Sequence, residues 1–340
     1  MAPRFFCVMD KLKDMDIINI CSQFTDDVMT GIRRIGDGHI NDTFYIKGEK
    51  GEYLLQKLNP VLFGENREII EHNYLQYAKA CENISGKIKE WELPRWLKCR
   101  AGGFFCVDGN RAPWRMYTYI KGDTLKSPYS KEQIRACGEG LSKLHFILSQ
   151  IKEVPGSALP GLHDTAAYYR DYLSCREDAQ KSRRDSALEA VIDDRAGRMT
   201  SLKLPENAVI HGDARIGNML FTDGRVIAMI DLDTIMWGPR ILDIADCIRS
   251  CCINEGRPDQ ELVKTLVSAY RDAGYMLIGD DEWKILPQAL ELICFELGLR
   301  YYTDHLRGNV YFAEDCPGRN LQKAGWLLHS LDEVIELQIL

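Results

Sequence analysis

The chain has 340 residues, 45% hydrophobic and 27% charged, with 43 basic and 50 acidic residues and a formal net charge of −7. That length suits two lobes or two domains rather than one small core. The acidic balance argues against a nucleic-acid surface, which needs clustered Lys and Arg, and no run of about 18 apolar residues is present to span a membrane.

The opening residues, MAPRFFCVMDKLKDMD, turn charged before any apolar core forms, so no secretory leader is read there. The twelve cysteines are therefore expected to be reduced and mostly buried in a cytoplasmic protein. None stands at zinc-ligand spacing. The partner these features favour is a small molecule, with no nucleic acid and no membrane.

In chain order, residues 11–30 carry an apolar stripe of Ile17, Ile18, Ile20, Cys21 and Phe24 and are expected to be helical. Antiparallel strands are expected at 32–35, 43–46 and 53–58, the last two joined by Lys47-Gly48-Glu49-Lys50-Gly51. Between the first two lies Gly36-Asp37-Gly38-His39-Ile40-Asn41. Glycine lets backbone N–H groups approach phosphates closely. Gly36, Asp37, Gly38 and Asn41 are thus candidate nucleotide contacts, although Gly-Asp-Gly is also an ordinary hairpin turn. On the third strand Lys57 is the candidate phosphate cation, and a helix over 66–80 offers Glu68 and Glu71 to hold it, with Glu71 the candidate. A register slip of one residue would present Gln56 instead; both readings stay open. Strands at 95–99, 104–107 and 114–120 follow, the last reading WRMYTYIKG, and the backbone of Tyr119 and Ile120 is expected to face adenine at a hinge.

The densest signal covers residues 208–249, AVIHGDARIGNMLFTDGRVIAMIDLDTIMWGPRILDIADCIR. A short apolar strand delivers His211-Gly212-Asp213, Asn218 follows, and a hairpin around Thr222-Asp223-Gly224 returns the chain to Asp231-Leu232-Asp233. Phosphoryl transfer from ATP needs such a set: a carboxylate to orient the acceptor hydroxyl and take its proton, then an amide and a second carboxylate to hold magnesium against the phosphates. Asp213 is the candidate base, and Asn218 and Asp231 the candidate metal ligands. Asp233 either meets a second magnesium or only orients the loop. His211 is expected to hold the loop by hydrogen bonding, and Asp243 and Asp246 to cap and anchor it. Arg215 either contacts transferred phosphate or pairs with a nearby acid.

From Ser130, a plausible N-cap, the rest reads as helices: 131–150, two within 164–199, then 241–252, 259–273, 281–307 and 320–339. The order describes an α+β, protein-kinase-like two-lobed fold. Its N-lobe is a small antiparallel sheet over 1–119, nucleotide-binding, and its C-lobe is mostly helical over 120–340 and carries the catalytic loop, metal hairpin and acceptor site.

The His-x-Asp-x4-Asn motif and the Asp-led hairpin end resemble the aminoglycoside phosphotransferase and choline kinase superfamily. Gly38-His39-Ile40-Asn41-Asp42-Thr43, YLLQKLN, WRMYTYIKG, VIHGDARIGNMLF, IDLDTIMWGP and ELGLRYYTDHLRGNVYF occur in order over nearly the whole chain and resemble its N-acetylhexosamine 1-kinase group most closely. The resemblance implies ATP and Mg2+ as cofactors and transfer to the anomeric hydroxyl of an N-acetylhexosamine or related sugar. It also implies that His39, Arg300 and Tyr311 contact that sugar.

Two loops depart from the group. Gly212-Asp213-Ala214-Arg215 stands where Asn-Asp-Thr-Lys is usual, and Met236-Trp237-Gly238-Pro239 where Met-Pro-Gly is usual. Trp237 either stacks on a sugar face or is a partly exposed hydrophobe. Two rival readings remain: a kinase for an aminoglycoside or an amino alcohol such as choline, and a catalytically silent nucleotide-binding protein.

Overall fold

A computed structural model describes residues 11–35, 41–63, 65–84, 86–88, 90–128, 130–312, 314 and 316–338. The candidates Gly36, Asp37, Gly38 and His39 lie outside these residues. The chain divides into two compact units, Met1–Glu71 with Leu93–Lys121 and His72–Glu92 with Gly122–Leu340.

The first unit contains α1 (Lys11–Cys21), β1 (Met29–Ile35), β2 (Asp42–Gly48), β3 (Glu52–Lys57), α2 (Pro60–Phe63), the start of α3 (Arg67–Asn83), β4 (Cys106–Val107) and β5 (Pro113–Thr118). The strands form one antiparallel sheet in the order β1-β2-β3-β5-β4. Strand alternation sends Ile46, Leu55 and Met116 to one face, where they pack against Ile17, Cys21 and Phe24. The first helix stops at Cys21 instead of running to 30. Asp27 accepts the backbone amides of Lys50 and Gly51, each at 3.1 Å, and so ties the following segment to the β2–β3 turn. The expected strand at 95–99 reduces to the bridge Trp96–Tyr117 and the bond from Leu97 N–H to Met116 O, 2.8 Å.

The second unit continues α3 and adds α4 (Lys131–Leu148), α5 (Thr165–Asp178), α6 (Ser186–Ser201), β6 (Ala208–Ile210), β7 (Met219–Thr222), β8 (Arg225–Met229) and β9 (Met236–Gly238). Then come α7 (Arg240–Cys252), β10 (Ile253–Asn254), β11 (Arg257–Pro258), α8 (Gln260–Asp272), α9 (Asp280–Lys284), α10 (Leu286–Arg307), α11 (Arg319–His329) and α12 (Leu331–Ile335). Ser130 caps α4 by accepting the Gln133 amide at 3.3 Å. Where α4 crosses α8, a Cβ on Gly138 would lie 2.3 Å from the Leu266 carbonyl oxygen, so only glycine permits the approach.

The expected helix at 281–307 is broken between α9 and α10. Pro287 stands in the first turn of α10, a position where the missing N–H costs nothing. Gly308, with φ of 99°, ends the helix in the left-handed conformation. Among the described residues every cysteine is free and most are buried. No helix there is long and apolar enough to cross a membrane.

Candidate active site

The loop after β6 is held from beneath by one buried carboxylate. Asp243, on α7, accepts the backbone amides of His211 at 2.7 Å and Gly212 at 2.9 Å. Its remaining partner is His145 Nε2, 3.1 Å away, whose Nδ1 meets the Tyr270 hydroxyl at 2.8 Å. Burial opposes ionisation of Asp243, but the His145 hydrogen bond and the His211 amide outweigh it and lower its pKa. Gly212 is required for the turn: its φ is +80°, and a Cβ would lie 2.6 Å from the Thr234 carbonyl oxygen. His211 is buried, with Nε2 3.0 Å from Ile230 O and Nδ1 3.3 Å from the Asp213 amide. The ring therefore holds the loop by two hydrogen bonds, as expected.

Asp213 stands at the tip of this turn, its side chain about a third exposed, at 32%. Asn218 Nδ2 lies 2.7 Å from Asp213 Oδ2, and Arg215 Nε lies 3.2 Å from the same oxygen. Burial works against the charged form, but Arg215, His211 and Asn218 together hold the carboxyl below its ordinary range. Of the two readings of Arg215, the structure shows pairing with an acid, and that acid is Asp213 itself.

The hairpin β7–β8 brings the next carboxylate to the site. Its turn uses Asp223 at φ 50° and Gly224 at φ 75°, the left-handed pair that matches strand twist. The Ile230 amide donates to Asn218 O at 2.9 Å, so Asp231 emerges beside Asn218. Asp231 is exposed and left-handed, with φ of 63°, while Asp233 is buried at 1% exposure. Strand geometry ends before them, at Met229, and the short 3-10 turn Leu232–Thr234 is what separates the two carboxylates.

Near the C-terminus, the Arg300 guanidinium lies over three rings: Tyr168 at 5.2 Å, Phe312 at 5.5 Å and Tyr311 at 5.7 Å. Asp304 shapes the segment that carries two of those rings. It accepts the amides of Val310, Tyr311 and Phe312 at 3.0, 2.8 and 2.8 Å, and Asn320 Nδ2 at 3.2 Å. Asp304 and Asn320 carry no signal of their own in the sequence beyond lying in or near the segment that holds Arg300, and Tyr168 stands far from it on α5. Trp237 is exposed at 37% on β9, opposite Val209. Among the described residues no ring or ion contact joins it to the Arg300 cluster.

The small unit holds the candidate nucleotide residues Lys57, Glu71, Tyr119 and Ile120. Lys57 lies on the same sheet face as Leu55, its Nζ 3.6 Å from Asp108 and 5.5 Å from the Trp114 ring. It does not pair with Glu71, whose carboxylate instead accepts the Phe104 amide at 3.2 Å. The reason is strand alternation, which turns Gln56 and Lys57 to opposite faces. The Gln56 side-chain oxygen is bonded to Arg115, with Nε at 2.8 Å, and Arg115 is 3% exposed over the Trp96 ring. The Tyr119 amide donates to Glu52 O at 2.9 Å and is spent on the sheet, and Ile120 is buried. Asn41 Oδ1 accepts the Asn59 amide at 3.0 Å, linking the start of β2 to the end of β3.

A family model described as phosphotransferase enzyme family matches residues 31–277. The fold is similar to that of amicoumacin kinase hAmiN in complex with AMP-PNP, Ca2+ and Ami, with TM-score 0.62, 13% identity and 97% of both chains covered. It is similar also to spectinomycin phosphotransferase APH(9)-Ia in complex with ADP and spectinomycin, with TM-score 0.60, 14% identity, and 96% of this chain and 98% of that one covered. A thermostable mutant of aminoglycoside phosphotransferase APH(4)-Ia, in ternary complex with ADP and hygromycin B, matches with TM-score 0.58 and 11% identity over 97% of this chain and 99% of that one. The small antiparallel sheet and the mostly helical second unit are thus those of a kinase-like fold.

Proposed function

We propose, from the premise that the chain belongs to the phosphotransferase enzyme family, that it transfers a phosphoryl group from ATP to a hydroxyl of a small sugar, an N-acetylhexosamine or related hexose. The observation that carries the transfer is the convergence of Asn218 and Arg215 on Oδ2 of Asp213. Oδ1 is then the oxygen left to orient an acceptor hydroxyl and accept its proton as the bond to phosphorus forms. Because Asp213 is held below the ordinary range, it is ionised at neutral pH and needs no prior deprotonation.

The residues also fit a divalent cation. Asn218 commits Nδ2 to Asp213, which turns Oδ1 away as an oxygen donor, and the Asp231 carboxylate beside it is exposed. Two protein oxygens completed by phosphate and water are what magnesium usually takes, and when bound it supplies charge neutralisation at the phosphate oxygens. Asp233, being buried, suits the loop-orienting role rather than a second metal.

The acceptor class rests on Arg300. It stands one turn after Glu296 on α10, and Glu296 reaches Gly212, beside Asp213, through His163. A guanidinium set among Tyr168, Tyr311 and Phe312 repels a cationic acceptor but offers N–H donors to sugar oxygens and rings to apolar sugar faces. The second reading, an aminoglycoside acceptor, is favoured by the spectinomycin and hygromycin B found with the neighbouring structures. The test is ATP turnover over a panel of sugars, aminoglycosides and choline, with phosphorus NMR of the product. An anomeric phosphate supports the sugar reading. Turnover with aminoglycosides alone overturns it, and nucleotide binding without any turnover points to a silent protein.

A further inference from the structure

His163, in the loop before α5, is a non-glycine residue in the left-handed region, with φ of 62°. Such strain persists only where surrounding contacts over-determine it. Here the His163 amide donates to the Tyr168 hydroxyl at 3.0 Å, Nδ1 lies 2.8 Å from Glu296 Oε2, and Nε2 lies 2.9 Å from the Gly212 carbonyl oxygen. Both ring nitrogens therefore face acceptors. A neutral imidazole has one N–H and would set a lone pair against one of those oxygens, so the geometry calls for the doubly protonated ring.

The surroundings agree. Glu296, on α10, is 2% exposed and takes a second hydrogen bond from the Thr165 hydroxyl. The titratable groups facing the ring are Glu296 from α10, Asp246 from α7 and Tyr168 from α5, with Asp246 itself bonded to Arg249 at 2.8 Å. Burial alone pushes the imidazole down, but the Glu296 carboxylate, then the Gly212 carbonyl and Asp246, carry it up to about 9.

We propose that His163 is a charged clamp on the catalytic loop, a positioning residue that fixes the Gly212 carbonyl and with it the peptide leading into Asp213. Gly212 is then gripped at both polar groups, its N–H by Asp243 and its C=O by His163. Tyr168, which holds the His163 amide, also lies over Arg300, so the clamp links the proposed acceptor cation to the proposed base. The kinetic consequence rests on the kinase reading above; the clamp itself does not.

The test combines NMR of ring-nitrogen-labelled histidine, amide hydrogen exchange across 211–218 and steady-state kinetics. In the native protein the His163 ring should be doubly protonated at neutral pH and lose its proton near pH 9, and at lower pH in Glu296→Gln. Exchange in the loop should rise in His163→Ala and return toward native in His163→Gln, whose side-chain nitrogen reaches the Gly212 carbonyl as Nε2 does. With an accepted substrate, kcat should fall roughly ten- to a hundredfold in His163→Ala at unchanged KM for ATP. His163→Gln should recover much of it, and the alkaline limb of kcat should move to lower pH in Glu296→Gln. A neutral ring at neutral pH, unchanged loop exchange in His163→Ala, or a Glu296→Gln pH profile that overlays the native one each overturns the clamp. If His163→Ala does not fold, the two conservative variants carry the test. Absence of turnover by the native protein overturns the kinase reading alone, because labelled histidine and exchange still decide the clamp.

Discussion

Asn218 Nδ2 sits 2.8 Å from the carbonyl oxygen of Asp213 and 2.7 Å from its carboxylate, so the amide that would hold a cation also braces the proposed base. Replacing either residue disturbs both functions at once. Asp213→Asn should lower kcat by about 10²–10⁴-fold, the range general-base catalysis supplies, with ATP affinity by calorimetry preserved. Asn218→Ala should lower kcat and also raise the magnesium concentration needed for half-maximal rate. Full turnover by Asp213→Asn would remove Asp213 from its role.

The anchor beneath the loop sets a pH dependence of stability. The pKa of Asp243 is lowered in the fold, so its contribution is present above the unfolded value and is lost as pH falls through the folded one. Asp243→Asn should therefore be less stable at neutral pH, by about 1–3 kcal/mol for hydrogen-bonding groups left unpaired. It should also lose less stability than the native protein on acidification. Urea unfolding at several pH values measures both; parallel native and variant curves would rule the anchor out.

At the acceptor end, Arg300→Ala should raise KM for the accepted sugar at least several-fold with little change in KM for ATP. Arg300→Lys should restore little, because an ammonium does not stack as a flat guanidinium does. Asp304→Ala should act in the same direction, since the amides of 310–312 lose their common acceptor. An unchanged sugar KM in all three variants would place the acceptor elsewhere.

In the small unit, Lys57→Ala should leave nucleotide affinity within about twofold, since its partners are a partly exposed ion pair and a ring. Arg115→Met should be far more damaging, because it strips a buried Gln56 oxygen of its donor at a cost of about 1–3 kcal/mol. Thermal melts and nucleotide titrations of both variants check this. A strong nucleotide defect in Lys57→Ala would instead support it as the phosphate cation.

The loop and hairpin were legible in the residues because their geometry is local. His211, Gly212, Asp213 and Asn218 lie within one turn, and Thr222-Asp223-Gly224 dictates the return that places Asp231 beside Asn218. Helix ends were legible where a cap spoke, as at Ser130, and misread where packing overruled periodicity. The first helix stops at Cys21 because the chain after it joins the sheet, and the break before α10 falls at Ile285, two residues ahead of Pro287.

By itself the chain's pattern determined the α+β order, the loop and hairpin that carry the proposed phosphoryl-transfer residues and the small sheet that precedes them, since hydrophobic period and turn chemistry act over a few residues. Tertiary structure alone decided which of Gln56 and Lys57 meets Arg115, because a one-residue step reverses the face of a strand. It alone also placed Tyr168 over Arg300, and joined His163 to Glu296 across 133 residues of chain. Such pairs arise from the packing of distant helices, and no spacing within either segment encodes the other.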